Sequence, residues 1–431
     1  MGDKTLLKLD AHEGLTIIHK DQNYEITSVE QEKTGVLELR RYKTGQGEEF
    51  IHIPREKLVI PPYETPWYAF PSTTYIYLDK KYKHELLETA IAKAEGGTAL
   101  QRVLEERGTH IGDKFLYRHL DERVDGMKVG GLIPILTYLG RDLNELTRHI
   151  AAIGDKRAVE NPNLPFRLDT IDGARLHAAR FSDGSLSSSR DRGPTFEYRN
   201  SDAEQRNRIV ESLTNVFGRI RIIITGYENE VPRVRTSTEV IGYVLQRSGA
   251  IAGEIIAKNP DIPTFIHQGS REMKLEWLRQ AFGDEGTPWP QRGLVMLSRS
   301  VDATHRLSDK QRKRLDAMSE EWKRRQYPNK SKEKKYCRFD DLPKDIQEAL
   351  KSECPRLLES EARMLQNDFG IEVNEYASQV YTRGGGYGVS WVLQTASRED
   401  SRMFYDKIGF PQNRKQEELR RTLRIKEGDN H

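Results

Sequence analysis

A chain of 431 residues is long enough for two or three domains with cores of their own, because domains usually hold about 100–200 residues. Apolar residues at 36% beside 31% charged ones, with no apolar run near the roughly 20 residues that cross a bilayer and no secretory signal, exclude a helical membrane protein and imply an intracellular, cytoplasmic one. Two cysteines, Cys337 and Cys354, exclude a disulfide framework and a cysteine-rich zinc site, and a net charge of +3 leaves any case for nucleic acid to the placement of the basic residues.

Strands are predicted over residues 14–18, 24–29, 35–42 and 49–53, ended by Pro61 and Pro62, which makes about 1–65 a small β-barrel-like domain. From Lys81 the period becomes helical. Helices are predicted over 82–94 and 98–107; a break at 108–112 leads into a short basic-aromatic run at 113–120, and Gly130 and Gly131 precede a helix over 132–139. That order is a helix-turn-helix layout, so residues 66–160 are expected to be a helical domain with Lys114, Tyr117 and Arg118 reaching DNA. A plain bundle with a solvated basic face is the alternative.

Pro162 and Pro165 mark a domain boundary, since a residue before proline is pushed out of the α region. An alanine-rich helical run follows at 173–184, with Asp172 as its expected cap and Gly184 expected to end it in the left-handed conformation. Predicted next are strands over 185–190 and 195–200, a helix over 202–217, strands over 219–225 and 231–236, and a helix over 239–247. A second run of the same shape lies at 275–286, and after it come a strand over 292–299, a helix over 357–369, strands over 372–383 and 388–396, and a helix over 398–408. Phe217-Gly218 and Phe369-Gly370 occupy equivalent places, which points to a duplication interrupted by a basic insertion at about 305–345.

If the two runs pack as a pair through Gly173, Ala174, Ala178, Ala179, Ala281 and Gly283, then Asp183 and Glu285 meet at their lower ends. Adjacent carboxylates repel unless a cation sits between them, an arrangement suited to Mg²⁺ and phosphodiester hydrolysis. Alternation places Arg219 and Arg221 on one strand face, Arg233 and Arg235 on another, Gln379, Tyr381 and Arg383 on a third and Ser390 with Gln394 on a fourth, opposite Trp391. Such faces can grip phosphates and read base edges.

Residues 178–185 and 278–286 resemble the two motifs of the LAGLIDADG homing endonucleases in their single-chain form, supported by Lys258-Asn259, Ile262-Pro263, 368–371, Trp391, Phe404, 408–410 and Lys415. His177, Arg180, Arg279 and Gln280 are bulkier or more polar than that family places on these helices. The resemblance implies an α+β fold, a pseudo-twofold duplicated αββαββα saddle with repeats at 161–250 and 251–431, preceded by the small β domain and the helix-turn-helix-like domain as an added DNA-binding arm. It implies that Asp183 and Glu285 bind Mg²⁺ or Mn²⁺, assisted by Arg235 and Arg383, and cut double-stranded DNA site-specifically to leave 3′ overhangs. The DNA-facing set extends to Arg190, Arg192, Arg199, Arg219, Arg221 and Arg233 in the first repeat, and to Arg292, Arg299, Gln379, Tyr381, Ser390 and Gln394 in the second. A monomer is expected, and neither end of the chain resembles an intein splicing end. The alternatives are a catalytically inactive DNA-binding regulator and a splicing cofactor for intron RNA.

Overall fold

The computed structural model describes residues 62–425, apart from 107–114, 121–124, 190–191, 227–229 and 327–335, together with the backbone of four strands between residues 16 and 54. Those strands are β1 (Thr16–His19), β2 (Gln22–Ser28), β3 (Val36–Lys43) and β4 (Gly47–Pro54), antiparallel and hydrogen-bonded in chain order. They fall within two residues of the expected bounds. Among the described residues β1 and β4 are not paired, so the sheet is an open meander rather than a barrel.

The next stretch holds β5 (Glu64–Thr65), β6 (Tyr75–Leu78), α1 (Lys80–Lys93), α2 (Gly97–Glu106), α3 (Phe115–Leu120), β7 (Gly126–Lys128), α4 (Val129–Leu139), β8 (Ile150–Ile153), β9 (Val159–Glu160) and β10 (Phe166–Arg167). It is mixed, not helical as expected for 66–160. Strands of two to four residues are too short to display a period of two beside longer helices. The expected helix-turn-helix is also interrupted, because β7 separates α3 from α4, and α4 buries Val129, Leu132, Ile133, Ile135 and Leu136. The tight turn expected at 108–112 lies outside the described residues.

From here two stretches share the order αββαββα once one short strand in the first and an inserted helix, strand and helix in the second are set aside. The first copy is α5 (Ile171–Arg180), β11 (Gly184–Ser189), β12 (Arg192–Arg199), α6 (Ala203–Phe217), then β13 (Arg219–Ile220), β14 (Ile222–Thr225), β15 (Arg233–Thr236) and α7 (Glu239–Arg247). Short helices α8 (Ile255–Lys258) and α9 (Thr264–His267) lead to the second copy. It comprises α10 (Arg271–Glu285), β16 (Gly286–Trp289), β17 (Leu294–Asp302), α11 (Asp309–Gln326), β18 (Tyr336–Arg338), α12 (Lys344–Leu350), α13 (Arg356–Phe369), β19 (Val373–Arg383), β20 (Gly386–Thr395), α14 (Arg398–Lys407) and α15 (Asn413–Leu423). The first sheet is ordered β11-β12-β15-β14 and the second β16-β17-β20-β19 with β18 outside β19. Setting β13 and β18 aside, both place the first, second, fourth and third strands of a copy side by side. The strand expected over 219–225 is divided: β13 leaves this sheet to pair with β9.

Local chemistry fixes the helix ends. Asp202 caps α6 by accepting from the amides of Glu204 and Gln205, and Gly218 and Gly370 close α6 and α13 at φ +94° and +68°, where a side chain is disfavoured. Thr170, not Asp172, caps α5, while Asp172 pairs with Arg175 in its first turn. Gly184 and Gly286 open β11 and β16 instead of adopting a left-handed conformation. A Cβ at either would lie 2.6 Å from a backbone oxygen of the preceding helix, Ala179 O or Phe282 O, so the two glycines do the same work in the two copies.

Helices α5 and α10 pack on each other, with Ala174, Ala178, Ala179 and Ala281 fully buried. Gly173 and Gly283, expected at this seam, are needed elsewhere: a Cβ would stand 2.1 Å from Leu168 O in one case and 2.8 Å from Gln205 Nε2 in the other. The bulky polar residues are absorbed by partners of their own. His177 bonds Ser248 at 2.8 Å, Arg180 donates to Ile251 O and Gly253 O, and Arg279 donates to Ile408 O at 2.7 Å. A salt bridge from Arg175 to Glu276 (2.7 Å) links the two helices.

A Cβ on Gly242 of α7 would lie 1.8 Å from Pro194 O in β12, which forces helix and strand apart. Gly242→Ala is therefore expected to destabilise the fold by about 1–3 kcal/mol or more. A lowered urea midpoint at constant slope would show it, and an unchanged midpoint would refute the close approach.

Candidate active site and sheet faces

The ends of α5 and α10 bring three carboxylates into one neighbourhood. Asp183 follows α5 in a turn whose backbone is held by the Arg199 amide donating to Asp183 O at 3.2 Å. Its Oδ2 accepts from Asn200 Nδ2 at 2.9 Å, and the same amide nitrogen reaches Asp284 Oδ1 at 3.2 Å and Tyr198 Oη at 3.1 Å. Asp284 is further held by the Tyr198 hydroxyl (2.6 Å) and by Gln280 Nε2, 3.0 Å from each carboxylate oxygen. Glu285, the last residue of α10, is exposed. Lys415 of α15 donates to Gly283 O (2.6 Å) and Gly286 O (2.7 Å), placing a cation at the negative end of α10.

This crowding shifts the titrations. Burial, and then the charge of Glu285, push Asp183 up to about 6, against the hydrogen bond from Asn200 and the charges of Lys415 and Arg299. Burial, and then the charge of Asp183, push Asp284 up to about 7, against hydrogen bonds from Tyr198 and Gln280. Burial lowers the Lys415 ammonium, with Asp284 and Asp183 opposing. Among the described residues no group of three or more His, Cys, Asp or Glu side chains is arranged around a metal position. Mg²⁺ does not require one, since it takes one or two carboxylates plus waters and phosphate oxygens. Asp183, whose Oδ1 has no hydrogen bond among the described residues, and the exposed Glu285 are donors of that kind, and a cation relieves their repulsion. The closed set around Asp284 leaves it less suited.

Two cavities flank the helix ends. One, of about 950 Å³, is lined by Asp183, Asp284, Arg199, Arg233, Arg414 and Lys415 among others. The other, of about 380 Å³, includes Glu285, Ser182, Arg299, Arg383 and Glu254. Gly184 pairs with Tyr198 and Gly286 with Leu297, so Arg199 and Asn200 in the first copy correspond to Ser298 and Arg299 in the second. Each cavity combines a motif acid, residues of one sheet, and the segment after the last motif helix of the other copy. Their charges differ. Arg383 is bound by Glu254 (2.5 Å) and Asp302 (3.9 Å), whereas the exposed Arg414 makes no ion pair among the described residues.

The other expected residues divide. Arg383 does reach the Glu285 cavity; Arg235, exposed on β15, does not line the Asp183 cavity, where Arg233 and Lys415 stand instead. Lys415 was recognisable only as part of a terminal resemblance, because Pro411 and sparse apolar residues conceal α15. Arg299 is not on an outward face: β17 continues to Asp302, so Arg299 lies mid-strand on the core side, 6% exposed, with Nη2 2.7 Å from Glu361 Oε1 and Nη1 donating to Phe181 O at 3.0 Å. The alternation Leu297, Arg299, Val301 carried that signal.

Arg219 belongs to β13 and faces Glu160 at 3.6 Å, outside the first copy's sheet. Arg221 is exposed between β13 and β14, and Arg292 stacks on Trp289 in the β16–β17 turn. Arg199 and Arg233 share Glu197 at 2.6 and 3.7 Å. Strand register puts Gln379, Tyr381, Arg383, Ser390 and Gln394 on one face of the second sheet, where Ser390 is buried and its hydroxyl bonds that of Ser300 at 2.9 Å, with Trp391 on the other side beside Arg299. Arg118 is exposed on α3. Lys114 and Arg190 lie outside the described residues, as do the side chains of Tyr117 and Arg192.

No helix among the described residues is long and apolar enough to cross a membrane. No protein-family model matches the sequence, and no curated protein does. Solved structures to which the chain is similar include mesophilic variants of the homing endonuclease I-DmoI, at 11% identity over 56% of this chain and 96% of that one, with a TM-score of 0.30. Others are the homing endonuclease I-WcaI bound to its DNA recognition sequence (10%, 58% and 85%, TM-score 0.31) and full-length DUF199/WhiA from Thermatoga maritima (11%, 62% and 65%, TM-score 0.30).

Two measurements test this geometry. Arg299→Met leaves Glu361 charged and buried, and is expected to cost about 3–5 kcal/mol, part of which Arg299→Met combined with Glu361→Leu restores; equal losses in the single and double variants would deny the pairing. For Asp284 the native state holds a proton that the unfolded chain releases near pH 3.9. Stability from this source is full below pH 4 and is lost as pH rises through about 7. Without divalent cations, Asp284→Asn should gain nothing near pH 4 and about 1–3 kcal/mol at pH 8 by calorimetry. A gain independent of pH would contradict the raised titration.

Proposed function

We propose that this chain binds double-stranded DNA site-specifically and cleaves it by metal-dependent phosphodiester hydrolysis. The observation that carries the reading is the convergence of Asp183 and Glu285 at the ends of paired helices, one acid from each of two copies with the same strand order. Like charges in a partly buried place are costly, and binding alone gives no reason to keep both. Asp183 and Glu285 are the residues that would hold Mg²⁺ or Mn²⁺, which supplies charge neutralisation and an activated water when bound. Asn200 orients Asp183, and Lys415 steadies the last turn of α10 beneath both acids. Arg233 and Arg414 at one cavity, and Arg383 at the other, present cations to a DNA backbone. The polar outward faces of the two sheets provide base contacts, with Gln379, Gln394 and Arg235 as readers.

A second reading, a DNA-binding regulator that does not cut, draws on the binding of Arg383 by two acids and on the closed hydrogen bonding around Asp284. The test separates the two. Incubated with a supercoiled plasmid carrying the DNA that flanks its own gene, and with Mg²⁺, the protein is expected to give a linear product. Asp183→Asn and Glu285→Gln should each slow cutting by at least about 100-fold while keeping affinity, since even the partners of metal ligands are worth 10–100-fold. Binding without cutting by the parent protein supports the regulator, and salt-independent binding, or none, ends both readings.

A further inference from the structure

The insertion between β17 and α13 does more than lengthen a loop. It contributes β18, which pairs with β19 through Tyr336↔Tyr381, Cys337↔Val380 and Arg338↔Gln379. It also contributes the helix that backs this strand: α11 buries Leu315 and Ser319, and Ser319 Oγ lies 3.5 Å from Cys337 Sγ on the core side of the sheet. Cys337, Val380 and Val389 are all buried there, so Arg338 is on the opposite, outward side, where it is exposed. A register shift between Ala377 and Gln379 brings Gln379 opposite Ser390, which pairs in turn with Ser300. The result is one cross-strand row, Ser300, Ser390, Gln379 and Arg338, running over four strands. In the first sheet β14 is the last strand on the corresponding side.

We propose that β18 is a fifth reading strand, with Arg338 contacting a base edge in double-stranded DNA, and that the half-site under the second sheet is longer than the half-site under the first. The inference rests on the DNA-binding reading above. Arg338 makes no ion pair among the described residues, although Asp340 and Asp341 follow it in the next turn. It extends a cross-strand row of polar side chains in which the Ser300 and Ser390 hydroxyls bond each other, so that Gln379 and Arg338 form its outer end, and the guanidinium fork matches guanine O6 and N7. Neighbouring strands lie about 4.8 Å apart and base pairs rise about 3.4 Å, so one added strand corresponds to about one or two base pairs.

The experiment is selection by the full-length protein from a library of random double-stranded 30-mers, followed by affinity measurement on the enriched sequence and on its single-position variants. The parent is expected to enrich a site with unequal halves. Arg338→Ala, at an exposed position and therefore expected to fold with an unchanged Tm, should relax preference at one outer position of the longer half, leave the other positions as they were, and weaken binding by about five- to a hundredfold. An Arg338→Ala profile and affinity equal to the parent's overturn the inference while leaving the DNA-binding reading intact. A uniform loss over all sequences, with a salt slope shallower by about one, marks a phosphate contact and overturns base reading. A parent that enriches no sequence overturns both readings together.

Discussion

Two helices that pack along their length must bring their ends together, and here both ends carry acid. Burial and the neighbouring carboxylate charges raise the cost of ionising Asp183 and Asp284, and the surrounding residues are arranged to bear it. Asn200 bridges Asp183 and Asp284, Tyr198 and Gln280 hold Asp284, and Lys415 places a cation at the close of α10. Deeper in, Glu361 binds Arg299 and accepts from Trp277 Nε1 at 3.3 Å. Arg299 then reaches across to the Phe181 carbonyl and the Ser182 hydroxyl (3.2 Å), directly before Asp183. A buried ion pair is a weak source of net stability, but it fixes geometry, because neither partner can move without leaving an uncompensated charge. The second sheet thus positions the acid of the first motif.

That exchange has a counterpart in the first copy. Asn200, at the place corresponding to Arg299, reaches Asp284 beside the acid of the second motif. The two copies are therefore mutually dependent at their centre. They have also diverged, from an amide in one to a guanidinium with its own buried carboxylate in the other, and the two cavities differ as well, one holding the exposed Arg414 and the other the acid-bound Arg383. A site built this way can hold two chemically unequal cavities within one topology.

Legibility in the sequence followed element length and parity. Helices α6, α7, α13 and α14 and strands β19 and β20 were readable because capping residues, terminal glycines and long alternation agree over many positions. The shared strand order was readable from Phe217-Gly218 and Phe369-Gly370, and the meeting of the two helix ends at Asp183 and Glu285 from their shared place before glycine. Four things were not. Strands of two residues, such as β9 and β13, carry no period. Pro288 concealed β16. Arg299 was misplaced because a strand ended three residues early shifts no parity but hides which side is core. Asp284 looked like a neighbour of the acid; only the approach of Tyr198, Asn200 and Gln280 from distant elements shows its part.

The same fine grain decides whether residues 62–167 are an appended arm. β5 pairs with β10, and β13, situated between α6 and β14 of the first copy, completes the sheet formed by β9, β8, β6 and β7. Phe70 packs on Phe166 and Tyr243, Phe166 packs on Phe217, and the Tyr243 hydroxyl donates to Ala69 O at 2.8 Å. A Cβ on Gly154 would come within 2.9 Å of Val240. Large aromatic side chains shared in this way carry much of a core's burial energy, and a strand withdrawn from a sheet leaves backbone groups unpaired. The stretch before the first motif helix therefore shares a core with the first copy. It orients that copy's α6, β14 and α7, and through them the floor on which Asp183 is held.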